Sequence, residues 1–248
     1  TDVPTGFQYA ISVGGGGDSS GITQKIEAST CKQLVGETIT ISFHLKQTTG
    51  SGTDKIAVAL SRADSEDNFG GTTSISSQTI STTSSYARYT LTFTSLPTEV
   101  ANGLQLTIKS NGAGSVVYLI TGIQLELGSQ ATPFEHRSFG EELALCQRYH
   151  TRIGAGGGYY AGNASGSNKI ATGLALPVAM RTTPSTPPNV GVHRSGNATV
   201  TCSIDSIALG HSNNTGVHCY IRLVGHSVTD EVAYNIYFTG VVVLDSEL

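Results

Sequence analysis

Between Thr38 and Lys46 the chain alternates strictly: Ile39, Ile41, Phe43 and Leu45 fall on one parity, and Thr40, Ser42 and His44 on the other. A side-chain period of two is that of an extended strand with one face in a core. The pattern returns at Ile56–Leu60, near 74–81, at Tyr86–Phe93, where Tyr89, Leu91 and Phe93 share a face, at Leu104–Lys109, at Val116–Ile120 and at Ile123–Leu127. Gly-rich or polar turns separate these runs. Roughly seven or eight short strands in about 120 residues predict an antiparallel sandwich, most simply a jelly roll.

Composition fits that reading. Charged residues make up 13% of the 248 positions and glycine accounts for 30, against the ~25% charge usual in soluble domains. Few charges, many hydroxyls and much glycine suit tight turns between strands better than a helical enzyme core. The formal net charge is −4 and the basic residues are scattered, so no footprint for nucleic acid is expected. The longest run of Val, Ile and Leu, Val241–Leu244, is far short of the ~20 residues that span a bilayer, and no membrane insertion is expected. The start, Thr1-Asp2-Val3-Pro4, has neither an initiator Met nor the basic and apolar regions of a signal peptide, so the chain reads as a piece of something longer.

The first 30 residues read as irregular. Gly14–Gly17 followed by Asp18-Ser19-Ser20-Gly21 lacks the Lys-Ser/Thr of a phosphate loop and reads as a plain loop. Cys31, Cys146, Cys202 and Cys219 form no Cys-x-x-Cys pair, which argues against a zinc site and a disulfide framework. Cys202 and Cys219 are the one pair that could meet across neighbouring strands, with free thiols preferred.

The texture changes over Ile120–Tyr149. Pro133 forces Thr132 into an extended conformation, so residues 129–137 are expected to cross the surface as a strap. Ser138-Phe139-Gly140-Glu141 is a capping box that opens a helix of two or three turns. Leu143, Cys146 and Tyr149 give it one short apolar stripe, and so short a helix needs packing to hold it. Beyond it, a second Gly-rich β region is expected, with strands at 169–176, 199–204, 217–224 and 233–244 and an irregular segment around Pro184, Pro187 and Pro188. The aliphatic run at 241–244 implies burial on both faces or against another chain. The expected organisation is all-β: a jelly-roll sandwich at 1–128, a strap and linker helix at 129–148, and a small C-terminal β-sandwich at 149–248.

The segment Gln124-Leu125-Glu126-Leu127-Gly128-Ser129-Gln130-Ala131-Thr132-Pro133-Phe134-Glu135, with the following Glu142–Tyr149, resembles the C-terminal part of bacteriophage tail fibres and related receptor-binding proteins. A second echo is Leu176-Pro177-Val178-Ala179-Met180-Arg181-Thr182-Thr183-Pro184, similar to an element of that family's small terminal β domain, and Leu244–Leu248 is similar to its chain end. His150 departs from the pattern, where the family often has a second Tyr. The resemblance implies a carbohydrate-binding-module-like jelly roll on a homotrimer at the distal end of a phage tail fibre in the virion. Its implied partner is a bacterial surface glycan, capsule or lipopolysaccharide, with no cofactor.

The chemistry-bearing residues are sparse. Asp64, Glu66 and Asp67 with Asn68 are the best carboxylate cluster, and the options are a solvated loop, a calcium site or an acid–base pair. None of the seven histidines forms a His-x-x-x-His or His-Glu-x-x-His motif, and no Gly-x-Ser-x-Gly elbow supports a Ser-based triad. Neither catalytic nor metal-ligating residues are assigned. Sugar recognition needs aromatic faces and planar polar side chains. Trp is absent, so the available material in the second region is Tyr159, Tyr160, His193, Arg194, His211, Asn213 and Asn214, with Tyr86, Arg88 and Tyr118 as alternatives in the first. The competing functions are a polysaccharide depolymerase fragment and a purely structural tail module.

Overall fold

The computed structural model describes residues 2–14, 20–49, 55–111, 116–153, 159–164, 170–184, 190–193, 199–209, 218–224, 233–237 and 242–246. The chain divides into two compact units, Thr1–His136 and Arg137–Glu247.

The first unit is a jelly-roll sandwich. Its strands are β1 (Ile11–Gly14), β2 (Gly21–Ile26), β3 (Ile39–Thr49), β4 (Lys55–Ser65), β5 (Asn68–Ser81), β6 (Ala87–Phe93), β7 (Leu104–Ser110) and β8 (Val117–Leu127). They form two antiparallel four-stranded sheets, ordered β1-β8-β3-β6 (sheet A) and β2-β7-β4-β5 (sheet B). Chain order crosses repeatedly between the sheets, so the strands that carry the alternating pattern are brought face to face. Ile39, Ile41, Phe43 and Leu45 from β3 meet Ile56, Val58 and Leu60 from β4 and Leu104, Leu106 and Ile108 from β7, all buried. Each such side chain stabilises the fold by roughly 1.5–3 kcal/mol. Tyr118 is wholly buried among them, and its hydroxyl donates to the Ile108 carbonyl at 3.0 Å.

Two expectations change here. The first 30 residues contain strands β1 and β2, edges of the two sheets. The polar stretch at 62–71 is the tip of a long hairpin: β4 runs to Ser65 and β5 starts at Asn68. Asp67 turns the chain at φ 54°, and its carboxylate accepts from the Ala28 amide at 2.7 Å, opening the short helix α1 (Ala28–Cys31). The charges there mark a turn tip and a helix cap, which is why the stretch resembles a loop in sequence.

Sheet A carries a bulge with a consequence for its outer face. Ser42 pairs with Gln124 but His44 pairs with Thr121, so Gly122 and Ile123 share one opposing position. Gly122 takes φ +63°, and a Cβ there would lie 2.5 Å from the Phe7 ring. Glycine is therefore required twice at that point, for the backbone and for the ring.

The second unit begins with α2 (Phe139–Gln147), capped as the sequence predicts: the Ser138 hydroxyl accepts from the Glu141 amide at 3.3 Å, and the Glu141 carboxylate accepts from the Ser138 amide at 2.9 Å. Within the single chain no residue of α2 is buried; Phe139 is 82% exposed and Leu143 41%. The strands are β9 (His150–Ile153), β10 (Tyr159–Ala164), β11 (Ile170–Ala175), β12 (Val190–His193), β13 (Thr199–Leu209), β14 (His218–Val224), β15 (Ala233–Tyr237) and β16 (Val242–Asp245). Six form a sheet ordered β12-β13-β14-β11-β10-β15, and β16 pairs with β9. The outer strands β12 and β15 also lie near one another, so the sheet curls back on itself. Leu244 of the aliphatic run is fully buried. Cys219 pairs with Leu209, leaving Cys202 seven positions back along β13; that is about 20 Å of strand, too far for a disulfide.

Candidate functional site

The outer face of sheet A carries a connected group of polar and aromatic side chains. It is covered by two segments: the arm before β1, which brings Phe7, and the strap at 129–136. The strap is held by side chains of β8. Glu126 accepts from the Thr132 amide at 3.0 Å and its hydroxyl at 2.5 Å. Gln124 accepts from the Glu135 amide at 2.8 Å and donates to the Thr132 hydroxyl at 3.3 Å. Gln124 and Glu126 are two apart on one strand and so point to the same face, which places both over the same stretch of strap. Arg88 of β6 donates to Ser42 at 3.1 Å and to the Thr132 carbonyl. Thr40 donates to the Gly128 carbonyl at 2.7 Å. Thr40 and Ser42, on the outward parity of β3, are consequently buried.

Beside this polar patch lies an aromatic cluster. The Phe7 ring stands 5.1 Å from His44, 5.3 Å from Phe134 and 5.3 Å from His136, and Phe134 meets His136 edge-on at 4.9 Å. Phe7 fits only because Gly122 beneath it has no side chain. The His44 Nδ1 atom is buried without a hydrogen-bond partner. Burial, and secondarily the Arg88 guanidinium opposite, hold its imidazole below the usual 6.5. The hydrogen bonds from Thr132 keep the Glu126 carboxyl below its ordinary range. At the far end of the face Lys46 contacts Asp2 and lies over the Tyr86 ring, whose hydroxyl donates to the Asp2 carbonyl at 3.0 Å. Tyr9, 80% exposed, is the aromatic on this side left open to solvent.

The sequence-based candidates fall as follows. Tyr118 is core, Arg88 is committed to Ser42 and the strap, and Tyr86 is taken up by Lys46 and Asp2. Tyr159 and Tyr160 lie on β10 opposite Tyr237 and Ile236 of β15, and His193 ends β12, which pairs with β13. Arg194, His211, Asn213 and Asn214 lie outside the described residues. Asp64 accepts from Thr73 at 2.7 Å and Arg62 at 3.3 Å, Glu66 pairs with Lys32 at 3.2 Å, and Asp67 caps α1. Each carboxylate of that cluster thus has a protein partner, and the described residues contain no group of three or more side chains fit to hold a metal. No described helix is long and apolar enough to cross a membrane.

Phe7, His44, Phe134 and His136 are missed by sequence reasoning. The available signal is two lone Phe residues, in the arm and the strap, where the pattern offers no core for them to join.

The two segments that carry the tail-fibre resemblance have defined structural roles. Gln124, Glu126, Thr132 and Glu135 of the connector motif hold the strap. In the second motif Met180 and Pro184 are buried, while Arg181 takes its amide to the Arg148 carbonyl at 2.9 Å and its Nε to the Ser246 carbonyl at 3.2 Å. Ser246 in turn donates its amide to Tyr149 at 2.8 Å, so the end of α2, the Pro-Val-Ala-Met-Arg element and the last strand form one clasp.

No family model matches the chain. No curated protein matches it. Among solved structures it is similar to a CBM4 structure at 20% identity over 44% of this chain, with a TM-score of 0.35. It is similar at 16% identity over 50% of this chain and 74% of the other, TM-score 0.33, to a CBM61 module solved with β-1,4-galactotriose. A third likeness is to a CBM22 xylan-binding domain from Paenibacillus barcinonensis, at 18% identity over 49% of this chain and 74% of the other, TM-score 0.34. The chain spans 61% of the length of the CBM4 structure. Likenesses this loose carry no argument about what this chain binds.

Proposed function

We propose that this chain is a non-catalytic glycan-binding region of a bacteriophage tail fibre, acting as a trimer that attaches to host capsule or lipopolysaccharide. The observation that carries the reading is the docked strap: the tail-fibre-like connector is a folded unit, with its motif residues Gln124, Glu126, Thr132 and Glu135 bonded to one another on the outer face of sheet A. A shared sequence pattern whose members are mutual partners supports a shared fold more strongly than scattered identities do. Acid–base catalysis on a glycosidic bond needs a carboxylic acid with a raised pKa. The described carboxyls that are displaced from the ordinary range, Glu99, Glu126 and Glu141, are all displaced downward by hydrogen bonds. That supports binding without cleavage. Sites are expected to be shallow, with affinity gained from several copies acting together.

The test is to measure the protein's oligomeric state by light scattering, then its binding to host cells and to extracted surface polysaccharide, and to size the polymer afterwards. Binding by a trimer without shortening of the polymer is expected, weakened in Tyr159→Ala or Tyr160→Ala. Shortened polymer would replace this reading with a depolymerase. A trimer that binds no cell or polymer would make the chain a structural tail module.

A further inference from the structure

The cover on sheet A differs in kind from the core beneath it. Between the sheets the contacts are aliphatic and aromatic. Under the strap they are hydroxyl, carboxamide, carboxylate and guanidinium: Thr40, Ser42, Gln124, Glu126, Arg88 and Thr132. Water solvates such groups well, so exposing them costs far less than opening the core. The apolar share of the cover is the Phe7, Phe134 and His136 cluster, which rests on the His44 ring. Two of the groups that hold this cover change charge as pH falls, His44 first and Glu126 only below the ordinary carboxyl range.

We propose that the strap and the Phe7 arm form an acid-opened latch on sheet A, released as His44 and then Glu126 take up protons while the sandwich beneath stays folded.

The surroundings of His44 leave an imidazolium poorly placed. Arg88 stands directly opposite on β6, and Lys46 shares its face on β3. His136 reaches the same Phe7 ring from the strap, which also carries Glu135. The arm brings Asp2, already engaged by Lys46 and by the Tyr86 hydroxyl, and Tyr9. β8 brings Glu126, engaged by Thr132. No acceptor meets the buried Nδ1 atom, so a proton added there gains no bond inside the cluster. With the arm lifted away, that nitrogen faces water. The closed state therefore binds His44's proton less readily than the open state, and falling pH below about 6.5 favours opening. Glu126 acts in the same direction. Its ionised form is the one that accepts twice from Thr132, so its contribution is present above the ordinary 4.5 and lost as pH falls through its lower docked value.

The experiment is amide hydrogen exchange on the intact chain from pH 7 to pH 4, corrected for intrinsic exchange chemistry. The amides of Thr132 and Glu135, which donate to Glu126 and Gln124, report the strap. Those of Ile41 and Phe43, within β3, report the sandwich. Protection at Thr132 and Glu135 is expected to fall severalfold across that range, with β3 unchanged. His44→Gln should flatten the fall between about pH 7 and 5.5, and Glu126→Gln the fall below about pH 5. Either variant flattening its own window sustains the latch, so a failure of one to fold leaves the other decisive. Strap protection that does not change with pH, loss of β3 protection in parallel, or two folded variants with the wild-type profile would overturn it.

Discussion

Glu126 holds Thr132 at two points, accepting from its amide at 3.0 Å and its hydroxyl at 2.5 Å. Thr132→Val keeps the extended shape and the amide contact but removes the hydroxyl. The loss also deprives Gln124 of its 3.3 Å contact. A solvent-accessible hydrogen bond contributes about 0.5–1.5 kcal/mol, so strap amides should exchange roughly three- to tenfold faster. The midpoint of global urea unfolding should barely move, because the strap lies outside the core. A large shift in that midpoint would show that the strap is part of the sandwich's cooperative unit.

Gly122 and Gly128 separate two costs that glycine avoids. Both have positive φ, +63° and +99°, but only at Gly122 would a Cβ meet another residue, the Phe7 ring at 2.5 Å. Gly128→Ala should cost about 1 kcal/mol from backbone strain alone. Gly122→Ala should cost more, about 1–3 kcal/mol, and should also expel the Phe7 arm. Denaturant unfolding gives the energies. The ring-current shifts of the His44 and His136 protons, present with Phe7 stacked and lost without it, report the arm.

The sandwich was largely legible in the sequence because only one face of its central strands meets the apolar core. Ile39 to Leu45 must alternate to satisfy that, and the alternation fixes which face is core. The edges were harder. Ile11–Gly14 is too short to show a period, and in Gly21–Ile26 only Ile22 and Ile26 are apolar. The hairpin tip at Glu66-Asp67 hid two strand ends behind charges that belong to a turn and a cap. The strap's extended course followed from Pro133, but its docking depends on Gln124 and Glu126 meeting residues six to eleven positions later. No local pattern encodes such a return; it also draws on Arg88 of β6, distant in sequence, which donates to the Thr132 carbonyl. In the second unit alternation located β11, β13 and β14 and the stretch that holds β15 and β16, but not β9, β10 and β12, which are short or Gly-rich; the loop residues proposed for binding belong to no periodic pattern at all.

Two buried acids predict the alkaline limit of stability. Burial pushes the Cys31 thiol from 9.0 to about 11 and the Tyr118 phenol from 10.0 to about 12. The unfolded chain loses these protons first, so it binds fewer protons than the folded chain above pH 9, and stability declines as pH rises. Cys31→Ala should remove the part of the decline that begins near pH 9, and Tyr118→Phe the part that begins near pH 10. Both variants are less stable at neutral pH, through a small cavity and through loss of the bond to Ile108. The quantity to compare is therefore the slope of unfolding free energy against pH. A variant with the wild-type slope in its own window would exclude that group as the cause.

The capping box of α2 carries an unusual share of that helix's stability, because none of its side chains is buried. A nine-residue helix (Phe139–Gln147) is below the ~12–15 residues at which isolated helices become marginal. Beside the clasp at its C-terminal end, its supports are local: Ser138 and Glu141 satisfying each other's amides, and Arg137 paired with Glu142 at 3.0 Å. The Ser138 hydrogen bonds keep Glu141 ionised below its usual range, so its half of the box persists in mild acid. Ser138→Ala removes the acceptor for the Glu141 amide and should cost about 1 kcal/mol, with faster exchange confined to residues 139–147. Glu141→Gln retains a weaker box and should fall between the two. If Ser138→Ala leaves the exchange of α2 unchanged, the helix does not depend on its cap, and is held by the clasp at its end or by a partner that covers the exposed Phe139 and Leu143.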